Sequence, residues 1–152
     1  MRQTGRLTLR IEYEDDSGIE LAASAASGAF SGASAAWFSR QKLIEFANRL
    51  GSTYPIPAGE CIEIRGGYAG PRDEDDNEIH LLVALRPINH RGTVGCEIEL
   101  SSDRFGGGNQ SFQQRCHMEL WTTYEEIRRF ADELSQLLAG TRKDANLDET
   151  EH

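Results

Sequence analysis

The sequence predicts an α+β fold: a mostly antiparallel sheet of six or seven strands with two helices, in the order βββα-ββββα. Apolar and polar residues alternate in several short segments, which is typical of half-buried strands. Two other segments, 37–50 and 121–134, place their apolar residues on one helical face. Both fit the pattern Trp, five residues, Leu or Ile, two residues, Phe-Ala, two residues, Leu. This match indicates an internal duplication.

The first half begins with an alternating strand over 7–13 and continues into a stretch dominated by alanine and serine. We predict two small-residue strands there, over 19–27 and 29–37, with Gly28 at the turn, because glycine and serine disfavour a helix. A helix over 20–36 is the alternative, and it would break the scheme. Small side chains on a sheet let either a packed helix or a ligand approach closely.

The first repeated segment predicts a helix over 40–50. Ser39 is placed to cap its N-terminus, and Gly51 is placed to end it, because glycine readily adopts the left-handed conformation found after helices. A further strand is predicted over 60–66, where it stands outside the duplicated pattern.

The second half predicts three strands followed by a helix. A capping pair opens this helix, either Thr122 with Glu125 or Thr123 with Glu126, and Gly140 ends it. The three strands are predicted over 79–86, 93–101 and 111–121.

The chain is expected to form one α+β domain over residues 1–140. Residues 141–152 contain one apolar residue beyond their alanine, so they are expected to form a disordered acidic tail.

Composition limits the classes of function. The net charge of −9 disfavours nucleic acid as a partner, because phosphates require a basic surface. The chain has no run of about 18 apolar residues, so no membrane span is predicted. The first residues lead into a strand without an apolar leader, which predicts a cytoplasmic protein. Three widely spaced cysteines argue against a disulfide framework.

The residue pattern predicts no enzyme, no cofactor and no metal site. Cys116 and His117 are neighbours on one strand, so their side chains point to opposite faces and cannot act as a pair. Cys96 and Cys116 lie on apolar strand faces and are expected in the core rather than as reactive thiols. His80 and His117 fall on the fifth and seventh predicted strands, where they could share one sheet face, but two histidines do not make a site. Glu97 and Glu99 point the same way without a substrate placed between them.

An acidic run between two predicted strands supplies the candidate partner-contact residues, which are Asp73, Glu74, Asp75 and Asp76. A solvated charge run is the alternative interpretation. Calcium binding is disfavoured because the alternating ligands and the closing Glu of a calcium loop are missing.

The two Trp-to-Leu segments, with a glycine- and serine-rich strand before the first, resemble the WapI-like immunity proteins of bacterial polymorphic toxin systems. The matching residues are those of the fold. They are Phe30, Ser31, Gly32, Trp37, Leu43, Phe46, Ala47 and Leu50, then Ile127, Phe130, Ala131 and Leu134. The resemblance implies a small non-catalytic protein that binds and neutralises a toxin or effector, which the acidic charge suggests is basic.

The alternative hypothesis is a small-molecule-binding or accessory domain. Its ligand would occupy a pocket over the small-residue strands, near Ala25 or Ala33, or the domain would dimerise through a sheet edge.

Overall fold

The structure is a computed structural model that describes residues 4–67, 79–102 and 114–150. It has an α+β fold, as predicted, with two helices and eight strands in these described ranges. The elements are β1 (Arg6–Asp15), β2 (Gly18–Ser27), β3 (Phe30–Phe38), α1 (Arg40–Ser52), β4 (Ile62–Gly66), β5 (Leu81–Pro87), β6 (Thr93–Ser101), β7 (Arg115–Thr123), α2 (Tyr124–Leu138) and β8 (Ala145–Asp148).

The strands form two four-stranded sheets, and every neighbouring pair is antiparallel. The first sheet has the order β3-β2-β1-β8, and the second has the order β4-β5-β6-β7. Each sheet therefore combines a three-stranded meander from one half of the chain with the strand that follows the helix of the other half. The structure is a duplicated βββαβ unit in which the two halves exchange their last strands. Thus β4 is the counterpart of β8 and not an extra strand.

The two repeated tryptophans mark the same place in each half. The backbone N–H of Trp37 donates a hydrogen bond to the Gly67 carbonyl, just beyond β4, at 3.2 Å. The backbone carbonyl of Trp121 accepts one from the Thr150 N–H, just beyond β8, at 2.9 Å. Each meander thus ends beside the exchanged strand of its own half.

The expectation of a disordered tail over 141–152 is wrong for β8. Ala145 and Leu147 are fully buried, and β8 pairs with β1 from Arg6↔Asp148 to Leu9↔Ala145. Two apolar residues in alternation are enough here because β1 already supplies a template strand.

The polar residues around β8 are used as well. Arg129 of α2 forms ion pairs with Glu126, Glu133 and Asp148, the last at 3.3 Å. The Glu133 carboxylate also accepts a hydrogen bond from the Asn146 N–H at 2.9 Å. The hydrogen bond to Glu126 is the main reason why the pKa of Arg129 lies above its ordinary value. The polar residues of β8 therefore attach this segment to α2 through an ion pair at Asp148 and a backbone hydrogen bond at Asn146.

The alanine- and serine-rich segment forms strands β2 and β3, as predicted, with Gly28 at the turn. A helix over 20–36 is excluded. β3 lies against the end of the second sheet, where the Ser34 hydroxyl donates to the His80 carbonyl at 2.6 Å. A Cβ on Gly32 would lie 2.5 Å from the Cβ of Cys116. The small residues of β3 therefore allow the second sheet to pack closely against it, and this contact is made with neither a helix nor a ligand.

Three of the four predicted helix ends are confirmed. Ser39 accepts a hydrogen bond from the Lys42 N–H, and Thr123 accepts one from the Glu126 N–H. Gly140 ends α2 with a φ of 82°. The prediction for Gly51 is wrong, because α1 continues through it to Ser52. The Ser52 hydroxyl donates to the Asn48 carbonyl at 2.7 Å, which supports this extra turn.

One hydrophobic cluster contains the buried residues of both sheets and both helices. Because the exchanged strands contribute to it, neither half has a core of its own. In the described part of the chain, no helix is both long and apolar enough to cross a membrane.

Candidate functional site

The acidic residues predicted to contact a partner, Asp73, Glu74, Asp75 and Asp76, lie outside the described residues. The two alanines of the alternative hypothesis do not share a surface. Ala25 is buried in the core, whereas Ala33 is exposed on the opposite face of the first sheet.

The residues considered for catalysis are separated by the fold. Cys96 is fully buried, and this burial raises the pKa of its thiol to about 12. His80 is buried before β5, whereas His117 is exposed on β7. Cys116 and His117 lie on opposite faces of β7, as predicted. Over the described ranges, no three His, Cys, Asp or Glu residues are grouped to hold a metal ion.

The outer face of the second sheet carries most of its charged side chains. Glu97 lies directly opposite Glu119, and Glu99 lies directly opposite His117. The Glu97 carboxylate is 3.4 Å from the Arg86 guanidinium and 3.3 Å from the His117 ring nitrogen. Like charges directly opposite each other destabilise an antiparallel pair. The Arg86 guanidinium beside Glu97 offsets part of this repulsion, and a cationic partner would offset more.

Two exposed apolar side chains stand at the end of this face. Trp121 is 45% exposed and Ile88 is 37% exposed. Trp121 lies directly opposite Gly95, and a Cβ on Gly95 would lie 2.7 Å from the Ile88 side chain and 3.5 Å from the Glu119 carboxyl. Only glycine leaves room for Ile88 to lie on the sheet beside Trp121. We call Ile88 and Trp121 the apolar anchor.

The loop that carries Ile88 is held in place by hydrogen bonds. The Ile88 N–H donates to the Thr93 carbonyl at 2.9 Å. The Asn89 side-chain oxygen accepts from the N–H groups of Arg91 and Thr93, at 2.8 and 3.3 Å. This Asx-type turn presents Ile88 in one position.

A groove of about 530 Å³ begins on the other side of Ile88. The Tyr54 and Tyr124 rings meet edge to face inside it, 4.9 Å apart. The Ile56 N–H donates to the Tyr124 hydroxyl at 3.0 Å, and the Arg128 guanidinium lies 5.7 Å from the centre of the Tyr54 ring. We call this the aromatic groove. Its lining includes Tyr54, Ile56, Pro57, Ile88, Asn89 and Tyr124.

Three hydrogen-bond donors in the aromatic groove are available to a ligand. The Tyr54 hydroxyl, the Tyr124 hydroxyl proton and the Asn89 side-chain N–H₂ meet no acceptor within the part of the chain that the structure describes. The groove therefore combines aromatic surface with donors that a ligand rich in acceptors could satisfy.

Sequence reasoning missed both the anchor and the groove. Trp121 appeared only as a repeated fold residue. The two prolines of 54–57 predict no more than a stiff extended connector, because proline fixes φ and disfavours a helix at the residue before it. One signal was present. Trp37 and Trp121 occupy equivalent positions, yet a Gly stands opposite Trp121 whereas Glu20 stands opposite Trp37. That difference becomes visible only when the strand register is known.

Comparison of the chain with known protein families, with curated proteins and with solved structures gives no match. The assignment of function therefore depends on the surface described above.

Proposed function

We propose that this protein is a non-catalytic protein-binding module whose partner docks on the apolar anchor and the adjoining outer face of the second sheet. The observation that carries the proposal is the exposure of Trp121 and Ile88 beside opposed carboxylates. Tryptophan is strongly enriched among the residues that dominate binding energy, especially where a polar rim surrounds it.

The charge of the protein favours a basic partner. The chain carries a net charge of −9, and Glu97, Glu99 and Glu119 lie close to the anchor. Complementary charge accelerates association by steering the partner, and it disfavours partners of like charge. Together with the resemblance to immunity proteins, this supports an inhibitor or immunity protein that neutralises a basic toxin or effector.

The test is a two-stage binding experiment with the full chain. Proteins captured from a lysate of the source cells are washed at low and high salt, and the retained partner is then purified. Calorimetry compares the wild-type chain with the Trp121→Ala variant. We expect a loss of affinity of about 30-fold, which corresponds to about 2 kcal/mol for a dominant interface residue.

Phe30→Ala is the matched control, because Phe30 is a 71% exposed aromatic residue on the first sheet. The proposal fails if Trp121→Ala and Phe30→Ala bind the partner equally well, or if the partner carries no basic surface and binding is independent of salt.

The second candidate function is a small-molecule-binding domain, and the aromatic groove favours it. Its volume of about 530 Å³ lies within the range of ordinary ligand sites. A thermal-shift screen tests this candidate. A ligand that raises the melting temperature of the wild type but not of Tyr54→Ala would support it.

A further inference from the structure

We infer that the aromatic groove binds an extended, proline-rich segment of polyproline II conformation. The inference rests on the proposed function, because it identifies the partner segment that would lie beside the apolar anchor.

The hydrogen-bonding groups of the aromatic groove favour a proline-rich occupant. A polyproline II segment has no internal hydrogen bonds, so its carbonyl oxygens remain free to accept. Proline has no N–H group and needs no acceptor in return. The aromatic groove offers the complementary set, namely the hydroxyls of Tyr54 and Tyr124 and the side-chain amide of Asn89. A segment rich in acceptors and poor in donors therefore leaves few polar groups unpaired.

The shape of the aromatic groove also favours proline. Tyr54 and Tyr124 stand nearly perpendicular, at 85°, and Ile88 lines the same groove. Aromatic-lined grooves are a recurring means by which proteins bind proline-rich segments, because proline rings are apolar and the polyproline II conformation is already ordered before binding. Tyr54 is 65% exposed, so its ring is available to a ligand at little cost in rearrangement.

The aromatic groove is continuous with the apolar anchor. Ile88 lines the aromatic groove, and its side chain also covers Gly95 beside Trp121 and Glu119. A segment leaving the groove past Ile88 would therefore meet the apolar anchor first and the carboxylates next. This arrangement fits an extended segment in which prolines lie next to lysine or arginine.

The test uses fluorescein-labelled decaproline as the probe, with a glycine–serine peptide of equal length as the control peptide. Fluorescence anisotropy measures affinity for the full chain, and NMR of the ¹⁵N-labelled chain locates the site. We expect saturable binding of decaproline alone, with shift changes concentrated at Ile88, Asn89 and Tyr124.

Two substitutions separate ring contact from hydrogen bonding. Tyr54→Ala should weaken decaproline binding by about tenfold or more, and Tyr54→Phe by a smaller factor, because it removes only the hydroxyl donor. Tyr13→Ala is the control, since Tyr13 is a 53% exposed tyrosine on the first sheet. It should leave the affinity unchanged.

The inference is overturned if decaproline does not saturate the protein up to millimolar concentration, if the glycine–serine peptide binds as well, or if Tyr13→Ala weakens binding as much as Tyr54→Ala. These results are independent of the partner experiment with Trp121→Ala. Failure of decaproline to bind while Trp121→Ala still impairs partner binding would remove this inference and leave the proposed function standing.

Discussion

The first residues of the two helices make different contacts. At the start of α1 an arginine covers the adjoining surface with polar contacts, whereas at the start of α2 a tyrosine leaves a groove exposed. We call these two places the closed corner and the open corner. Arg40 and Tyr124 are the first residues of the two helices, and the repeat places them at the same position. The Arg40 guanidinium donates to the Glu14 carboxylate and to the Leu138 carbonyl at the end of α2. Tyr124 instead uses its hydroxyl to hold the connector after α1 and exposes its ring to a groove.

The side chains around the two corners differ in the same way, since those around Arg40 are more often charged and those around Tyr124 are more often aromatic or apolar. Two shallow grooves adjoin the corner at Arg40, and about half of their lining residues are charged. These include Arg10, Glu12, Arg142 and Lys143 in one groove and Asp15 and Asp16 in the other. Charged groups are costly to remove from water, whereas tyrosine, isoleucine and proline are not. The corner at Arg40 is therefore closed by polar contacts, whereas the corner at Tyr124 exposes aromatic and apolar side chains that cost less to remove from water.

The largest effect on stability is expected in the exchanged strands β4 and β8, because each supplies buried side chains to the shared core. Leu147 of β8 is fully buried and Ile64 of β4 is 1% exposed. We expect Leu147→Ala to reduce the free energy of unfolding by about 2–5 kcal/mol, as Ile64→Ala should, because each leaves a cavity. Urea denaturation measures both. A loss below about 1 kcal/mol for Leu147→Ala alone would mean that β8 is dispensable and the halves are not equivalent.

A smaller effect is expected at the open corner. Tyr124→Phe removes the hydroxyl that accepts from the Ile56 N–H, so the free energy of unfolding should fall by about 1 kcal/mol. Tyr54→Phe is the control, because the Tyr54 hydroxyl has no hydrogen-bond partner among the described residues, and thermal denaturation should show no change. An equal loss for both variants would contradict the role given to Tyr124.

The closed corner should be less sensitive still. The side chains of Arg40 and Glu14 are 48% and 44% exposed, and exposed ion pairs contribute about 0–1 kcal/mol. Arg40→Ala should therefore cost less than 1 kcal/mol, with a smaller loss at high salt. If Arg40→Ala lowers the free energy of unfolding more than Tyr124→Phe does, the contacts of Arg40 stabilise the fold more than those of Tyr124.

The smallest effect on stability is expected at the junction between the halves. Replacing Asp73, Glu74, Asp75 and Asp76 with their amides should leave the free energy of unfolding unchanged but slow association with a basic partner, because the steering charge is reduced. Stopped-flow measurements over a range of salt concentrations test this. An unchanged rate and salt dependence would assign the acidic run to solvated surface.

The two repeated segments were predictable because each combines a strand, a cap and a helical stripe within a short stretch of sequence. β8 was not predicted, since four residues with two apolar side chains fall below the signal of a strand. The repeat itself contained the missing information. Ile62 and Ile64 follow α1 as Ala145 and Leu147 follow α2, so a strand in one copy implies a strand in the other.

Pairing between the halves could not be predicted from periodicity. The alternation of apolar and polar residues in β4 and β8 predicts which residues are buried, but it does not predict which strand pairs with each of them. For the same reason, the exposure of Trp121 became apparent only when Gly95 was placed opposite it. The candidate site depends on contacts between residues that are distant in sequence, whereas the fold class depends on local patterns.

The exchange of last strands has a consequence for synthesis on the ribosome. Arg6 and Asp148, which pair at one end of β1 and β8, are separated by 142 residues. At translation rates of about 5–20 residues per second, the nascent chain waits roughly 7–28 s between them. During that interval β1 has one unpaired edge, and such edges readily pair with other chains. The first sheet is therefore the part of this protein for which we expect chaperone protection to matter most while the chain is being made.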